Sequence, residues 1–288
     1  MDTKAANAEE RGKMVPLPFL HDEELEEYKL HRRFDRMARL VGDHAMNRIM
    51  NAHVMIIGLG GVGSHAAEMI VRSGVGKVTI VDFDEVCITN VNRQLPAMQG
   101  TIGQQKSHVL AERFRKINPR VEVTPITQFY NMETSDEILS HKPDWIIDAI
   151  DSVTSKCHLL DCCRKLGIRV VSSAGSAGKM DPTQIRIADL SETQRDPLAR
   201  SVRKILRKKF GWPREGAMDV PCVYSAEPTT APFELKYDNG KGFRCVCPQG
   251  QNDFFNCDSR NVILGTAGFV TASFGMTCSS VVVRELSK

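Results

Sequence analysis

A chain of 288 residues with 38 Lys and Arg against 35 Asp and Glu has a net charge of only +3. Its 42% hydrophobic and 25% charged content is that of a soluble globular protein, long enough for one large domain or two small ones. So mild an excess of positive charge excludes a whole-molecule attraction for nucleic acid, and any basic feature must be local to matter.

Nine cysteines without a secretory signal imply free thiols in a reducing compartment, which points to the cytoplasm. A mitochondrion or its outer membrane is the alternative address, although Glu9 and Glu10 make the N-terminus a poor transit sequence.

In chain order, residues 1–20 read as a tail. Residues 22–50 read as one or two short helices, with Leu30, Phe34, Met37, Leu40 and Val41 at helical spacing around a basic knot at Arg32, Arg33 and Arg36. The run Val54 to Ile57 is apolar without alternation, as in a strand buried on both faces. It ends in Gly58-Leu59-Gly60-Gly61-Val62-Gly63. Glycines there permit a tight turn, a close approach of backbone to phosphate, and packing of the next helix, whose N-terminus favours an anion. A second strand at 78–81 runs into Asp82-Phe83-Asp84, placing an acid about twenty residues past the glycines, where it can accept from ribose hydroxyls. This frame is a nucleotide site.

Residues 85–105 are too long for a plain turn and are rich in Asn and Gln, with Arg93 among them. Lys106 opens a helix that stops before Asn118-Pro119. A strand at 121–126, a helix at 134–141, a strand at 145–150 ending near Asp148 and Asp151, a helix at 156–166 and a strand at 170–173 complete the alternation. It predicts a doubly wound, mainly parallel sheet. The uncharged stretch 262–283 approaches the length of about 20 residues that spans a bilayer. Its many Gly, Ser and Thr residues argue instead for a closely packed buried helix and no membrane span. The resulting division is an N-terminal tail and helical segment (1–50), a Rossmann-like core (51–180) and a C-terminal extension (181–288).

Charge separates a nicotinamide site from an ATP site. A dinucleotide pyrophosphate is satisfied by amides and a helix end. A triphosphate that must release pyrophosphate needs cations, and usually a carboxylate for Mg2+. Arg93, Lys106 and Asp151 supply that set, which favours nucleotidyl transfer.

The ordered motifs R-x-x-R-x-x-R, G-L-G-G-V-G, D-F-D, N-x-N-R-Q, G-x-x-K, I-N-P and D-x-x-D, between about Arg32 and Ser173, resemble the ThiF-type adenylating enzymes related to ubiquitin activation. The resemblance implies that Gly58, Gly60, Gly61, Gly63, Asp82 and Asp84 line the ATP site, with Asp82 on the ribose. It further implies that Asn90, Arg93 and Lys106 hold the phosphates and Asp151 the Mg2+. Arg36 would be an arginine finger from the other subunit of a homodimer. The structural zinc usual in sulfur-carrier activators is not expected, because no C-x-x-C occurs and Cys222, Cys245, Cys247 and Cys257 lack the spacing. Residues 173–184, Asp189-Leu190, Asp196-Pro197-Leu198, residues 222–225 and the final helix resemble instead the tRNA threonylcarbamoyladenosine dehydratases, departing at residues 233–261. These use ATP to close the threonylcarbamoyl substituent of a tRNA adenosine into a ring.

A local basic segment agrees with such a substrate. Arg203, Lys204, Arg207, Lys208 and Lys209 are interrupted by Val202, Ile205, Leu206 and Phe210 at helical spacing, so a helix can dock on the body and face cations to a phosphate backbone. Cys257 and Cys222 are the cysteines to test for a covalent role. The alternative activity is activation of the C-terminal glycine of a ubiquitin-like or sulfur-carrier protein, with a sulfur-transfer protein as a further partner.

Overall fold

The apolar run after the helical segment is an inner strand of a seven-stranded sheet in the computed structural model, which describes residues 32–235 and 263–288. Helices α1 (Asp35–Val41) and α2 (Asp43–Asn51) precede it, broken at Gly42, whose φ of 85° favours glycine. The core then alternates β1 (His53–Ile57), α3 (Gly63–Arg72), β2 (Lys77–Val81), α4 (Lys106–Ile117), β3 (Glu122–Ile126), α5 (Ser135–Leu139), β4 (Trp145–Asp148), α6 (Val153–Leu166) and β5 (Arg169–Ser173). After these come β6 (Ile185–Asp189), α7 (Pro197–Lys209), β7 (Pro221–Ser225) and α8 (Gly268–Leu286).

The sheet order is β3-β2-β1-β4-β5-β7-β6. All neighbours are parallel except β6, which pairs antiparallel with β7 at the edge. The chain leaves β1 toward β2 and β3 on one side and later toward β4 and β5 on the other. The switch point therefore lies between β1 and β4, where open α/β sheets bind ligands. Register makes this concrete, because Ile57 pairs with both Val81 and Asp148. Gly58, Asp82 and Ala149 thus leave the sheet side by side.

Several boundaries differ from the sequence reading: α5 ends at Leu139 rather than 141, and α8 begins at Gly268, inside the stretch 262–283, and runs on to Leu286. β4 ends at Asp148 rather than Ile150, because the Asp148 side chain turns back to accept from the Ile150 N–H at 3.2 Å. α6 begins at Val153, three residues before Lys156, with Ser152 as its extended N-cap. β6 and β7 were not anticipated as strands. The segment 85–105 is a closed loop, pinned by a bridge between Glu85 and Gln105 and carrying one short 3-10 turn at Ile88–Asn90.

Two layers of core lie on either face of the sheet. One packs α3, α4 and α8 against β1 and β2, with Ile70, Val71, Leu110, Phe114, Phe274 and Val282 buried. The other packs α6 and α7 against the opposite face, with Leu159, Leu160, Val202 and Leu206 buried. The small residues of α8 explain themselves: a Cβ on Gly275 would run into the Val62 carbonyl, and Ser279 Oγ donates to the Ala66 carbonyl at 2.9 Å. They let α8 approach α3 closely. Among the described residues no helix is long and apolar enough to cross a membrane.

Candidate ATP and acyl-transfer site

The glycine turn owes its composition to its neighbours. Gly58 has φ 90°, and a Cβ there would stand 2.7 Å from the Ala149 carbonyl oxygen. Gly63 opens α3 where a Cβ would overlap the Gly58 carbonyl, and Gly61 is pressed against the Thr271 side chain of α8. Gly60 differs. The nearest atom to a Cβ there is 3.9 Å away, so no internal crowding demands glycine, and the bare backbone is free to face a phosphate.

Asp82, at the end of β2, is buried. One of its oxygens accepts from the Leu59 N–H at 2.6 Å and the other from the Asp84 N–H at 2.8 Å. The acid thus braces the glycine turn, and an ionised carboxylate retains further acceptor sites. Lys106, the first residue of α4, is buried, with its Nζ 2.7 Å from Asp84 Oδ2 and 4.0 Å from Asp82 Oδ1. Burial would pull this ammonium down, but Asp82 and Asp84, with a smaller share from Asp151, hold its pKa above the ordinary lysine value. Burial pushes the Asp82 carboxyl up against the pull of Lys106. The site therefore presents a preorganised ammonium. Phe83 and Phe129 meet edge to face at 5.0 Å beyond the ends of β2 and β3, an apolar pair next to Asp82.

Asn90 is buried, and its side chain accepts from the Cys87 N–H at 3.1 Å, so it shapes the loop that carries Arg93. Arg93 donates to the Thr89 carbonyl at 2.9 Å and to Asn92 Oδ1 at 2.8 Å. Asp151 is exposed in the turn after β4. That turn is anchored from beneath by an ion pair: Lys156 Nζ lies 2.6 Å from Asp148 Oδ2, which also accepts from Ser172 Oγ at 2.7 Å, all three residues being buried. The sequence reading noted Asp148 but missed Lys156. A lysine eight residues after a strand-end acid, in the first turn of a largely buried helix, was the available signal.

Arg36 does not join this constellation within its own chain. Arg33 donates to the Ile117 carbonyl at the end of α4, and Phe34 packs against Gly74 before β2. The 12 residues of α4 rise about 1.5 Å each from one to the next, so the end of α4 that Arg33 touches is roughly 16 Å from Lys106 along that helix.

On the other side of the switch point, the loop after β5 is tied to α7. Asp196 accepts from the Ala199 N–H at 2.8 Å, capping α7, and from the Gly175 N–H at 3.0 Å. α7 buries Ala199, Val202 and Leu206 and leaves Lys204, Lys208 and Lys209 exposed. Arg203 is turned inward, donating to the carbonyls of Leu190 and Thr193 and to Thr193 Oγ1, and Arg207 donates to the Pro213 carbonyl at 3.1 Å.

Cys222 is fully buried in β7, and burial pushes its thiol pKa up, away from the thiolate form that a nucleophile needs. Cys245, Cys247 and Cys257 lie outside the described residues, as do residues 1–31. Among the described residues no group of three or more His, Cys, Asp or Glu could hold a metal.

The model of the ThiF family matches residues 34–287. The chain is 38% identical over 259 residues to the tRNA threonylcarbamoyladenosine dehydratase of Haemophilus influenzae, covering 89% of this chain and 94% of that one. It is 37% identical to the protein of that name from Escherichia coli over 257 residues, 88% and 93% of the two chains. The solved structure of the E. coli protein in complex with ATP is similar with a TM-score of 0.76 at 34% identity, covering 93% of this chain and 97% of that one.

Proposed function

Because the chain belongs to the ThiF family, in its tRNA threonylcarbamoyladenosine dehydratase branch, we propose that it adenylates the threonyl carboxylate of that nucleoside in tRNA and closes it to the cyclic form. The observation that carries the reading is the meeting of four groups at one switch point: the open Gly60 backbone, Asp82, the buried ammonium of Lys106 and the exposed carboxylate of Asp151.

The threonyl carboxylate attacks the α-phosphate in line, the bond to pyrophosphate breaks, and the glycine-turn amides, Lys106 and Arg93 stabilise the developing charge. Ring closure follows when the ureido group of the same substituent attacks the activated carboxyl carbon and AMP leaves. The nucleophile is already tethered, so its effective molarity is high. No enzyme thioester is required by this chemistry, and a sulfur-transfer protein stays a further partner in this reading.

Mg2+ fits the donor set. It keeps several waters and is held by one or two carboxylates plus substrate phosphates, not by an all-protein cage, and Asp151 is one exposed carboxylate in electrostatic reach of Lys106. When bound it supplies charge neutralisation on phosphate oxygens.

In this reading residues 51–180 carry ATP and residues 181–288 face the tRNA, with α8 the exception because Thr271 packs on Gly61. Lys204, Lys208 and Lys209 meet the tRNA backbone, and Asp196 links their helix to the glycine loop at Gly175, which lines the acyl pocket. Arg36 completes the site of a second copy in a homodimer, which its remoteness from its own Lys106 supports. A reducing compartment, the cytoplasm or a mitochondrion, accords with six free cysteines among the described residues.

The test is to incubate the protein with ATP and tRNA carrying threonylcarbamoyladenosine and to analyse the nucleosides by mass. Loss of one water from that nucleoside, with one AMP formed per turnover, is expected. No change in the nucleoside, together with pyrophosphate exchange stimulated by a small protein ending in diglycine, would transfer the chain to the alternative activity.

A further inference from the structure

The loop after β2 carries two side chains, Gln94 and Gln105, whose amide oxygens are buried without a hydrogen-bond partner, and Gln94 is the one set over the glycine turn. Gln94 is 9% exposed. Its N–H donates to the Asn90 carbonyl at 2.9 Å, and the next N–H, of Leu95, donates to Ser64 Oγ at 3.3 Å in the first turn of α3. The residue is therefore docked on the phosphate-facing end of that helix. Its carboxamide lies over the glycine turn, with Nε2 3.9 Å from where a Cβ on Gly60 would stand. Yet Oε1 is buried without a hydrogen-bond partner.

A buried amide oxygen left without a donor is destabilising, and such groups in native proteins call for a reason. Phosphate oxygens only accept, so a nucleotide on the glycine turn satisfies the NH2 end of a carboxamide and not its carbonyl end. The acceptor needs an N–H or O–H from something else in the site. The second substrate of the proposed reaction carries ureido N–H groups on the substituent that is activated there. We propose that Gln94 bridges the two substrates, its amide nitrogen donating to the nucleotide phosphate and Oε1 accepting from a ureido N–H, so that the ureido group is held against the activated carboxyl carbon. This rests on the dehydratase reading above.

Ring closure forms the bond from the ureido nucleophile to the carboxyl carbon and breaks the bond from that carbon to AMP, which leaves with the electron pair. The ureido N–H becomes more acidic as the bond forms, and its proton passes to solvent. A hydrogen bond to Oε1 strengthens along this path, whereas the carboxamide itself takes no proton. Gln94 is thus a substrate-positioning residue for the second half-reaction. Without it the acyl-adenylate meets water instead, returning AMP and the open nucleoside.

Gln94→Met keeps the side-chain length and removes both hydrogen bonds. With ATP and modified tRNA, the ratio of cyclic nucleoside to AMP should fall about tenfold, the scale of one lost hydrogen bond, and pyrophosphate exchange should fall separately through the lost bond to phosphate, which the ratio does not register. Gln94→Glu keeps the acceptor but sets a charge beside phosphate, so exchange should fall while the ratio stays near the wild-type value. Thermal melting checks that each variant is folded. Should Gln94→Met not fold, Gln94→Asn, which withdraws the carboxamide by one methylene, should show the same fall in ratio. A wild-type ratio in folded Gln94→Met or Gln94→Asn overturns the assignment. A wild-type protein that leaves the nucleoside open overturns the dehydratase reading and this assignment together, so the two failures are distinguishable.

Discussion

Asp151 and Lys156 stand a few residues apart and answer to different physics. Asp151 is exposed, so its removal leaves no cavity and no unpaired charge inside the protein. Asp151→Ala should abolish pyrophosphate exchange dependent on modified tRNA while leaving the melting temperature within a degree or two, on the scale of about 0.5 kcal/mol for surface changes. Normal exchange in the folded variant would take Asp151 out of the site. Lys156 is buried against Asp148, and removing one partner of such a pair leaves an uncompensated charge. Lys156→Met should cost about 3–5 kcal/mol in urea unfolding. The double variant Asp148→Asn with Lys156→Met should recover much of that loss, because no ion then remains buried. If the double variant is no more stable than the single one, the pair is not the reason for the cost.

Among the elements, α7 is the one whose two faces have different tasks. Its inner face is closed by Val202 and Leu206 and by the inward bonds of Arg203, and its outer face carries Lys204, Lys208 and Lys209. Reversing those three lysines to Glu should raise the apparent tRNA Michaelis constant strongly and leave ATP affinity nearly unchanged, since the nucleotide groups sit at the ends of β1, β2 and β4. Binding of tRNA to the unaltered protein should also weaken steeply with salt, each neutralised phosphate adding roughly −0.7 to −0.9 to the log–log slope. A flat salt dependence, or normal turnover of tRNA by the reversed protein, would reduce α7 to a solvated face. Arg203→Glu would be a poor probe of the same question, because it breaks bonds to Leu190 and Thr193 and so tests stability as well.

For the whole molecule, the remoteness of α1 from its own Lys106 makes an assembly argument. If Arg36 serves a neighbouring copy, Arg36→Ala and Lys106→Ala proteins should each be nearly inactive. Mixing and reassociating them should restore part of the activity, through the one site per heterodimer that lacks neither residue. Verified heterodimers without recovery would show that Arg36 acts within its own chain or not at all.

Much of this was legible along the chain because it is local. A fully apolar strand, a glycine turn, an acid after the next strand and a lysine opening a helix are carried by short runs, and their order alone implied a parallel sheet and an ATP site. The end of α4 at Ile117 follows from Asn118-Pro119 in the same way. What tertiary structure decided is whatever depends on pairs distant in sequence. β6 and β7 are strands because they complete an edge beside β5. Arg203 turns inward because Thr193 offers it acceptors, and Gly275 is needed because α8 lies against the Val62 carbonyl. The side-chain oxygen of Gln94 is an orphan only once α3 and the loop after β2 close over it. Periodicity and spacing report what a segment can become, whereas burial, register and hydrogen-bond partners are properties of contacts that exist only after the segments have packed.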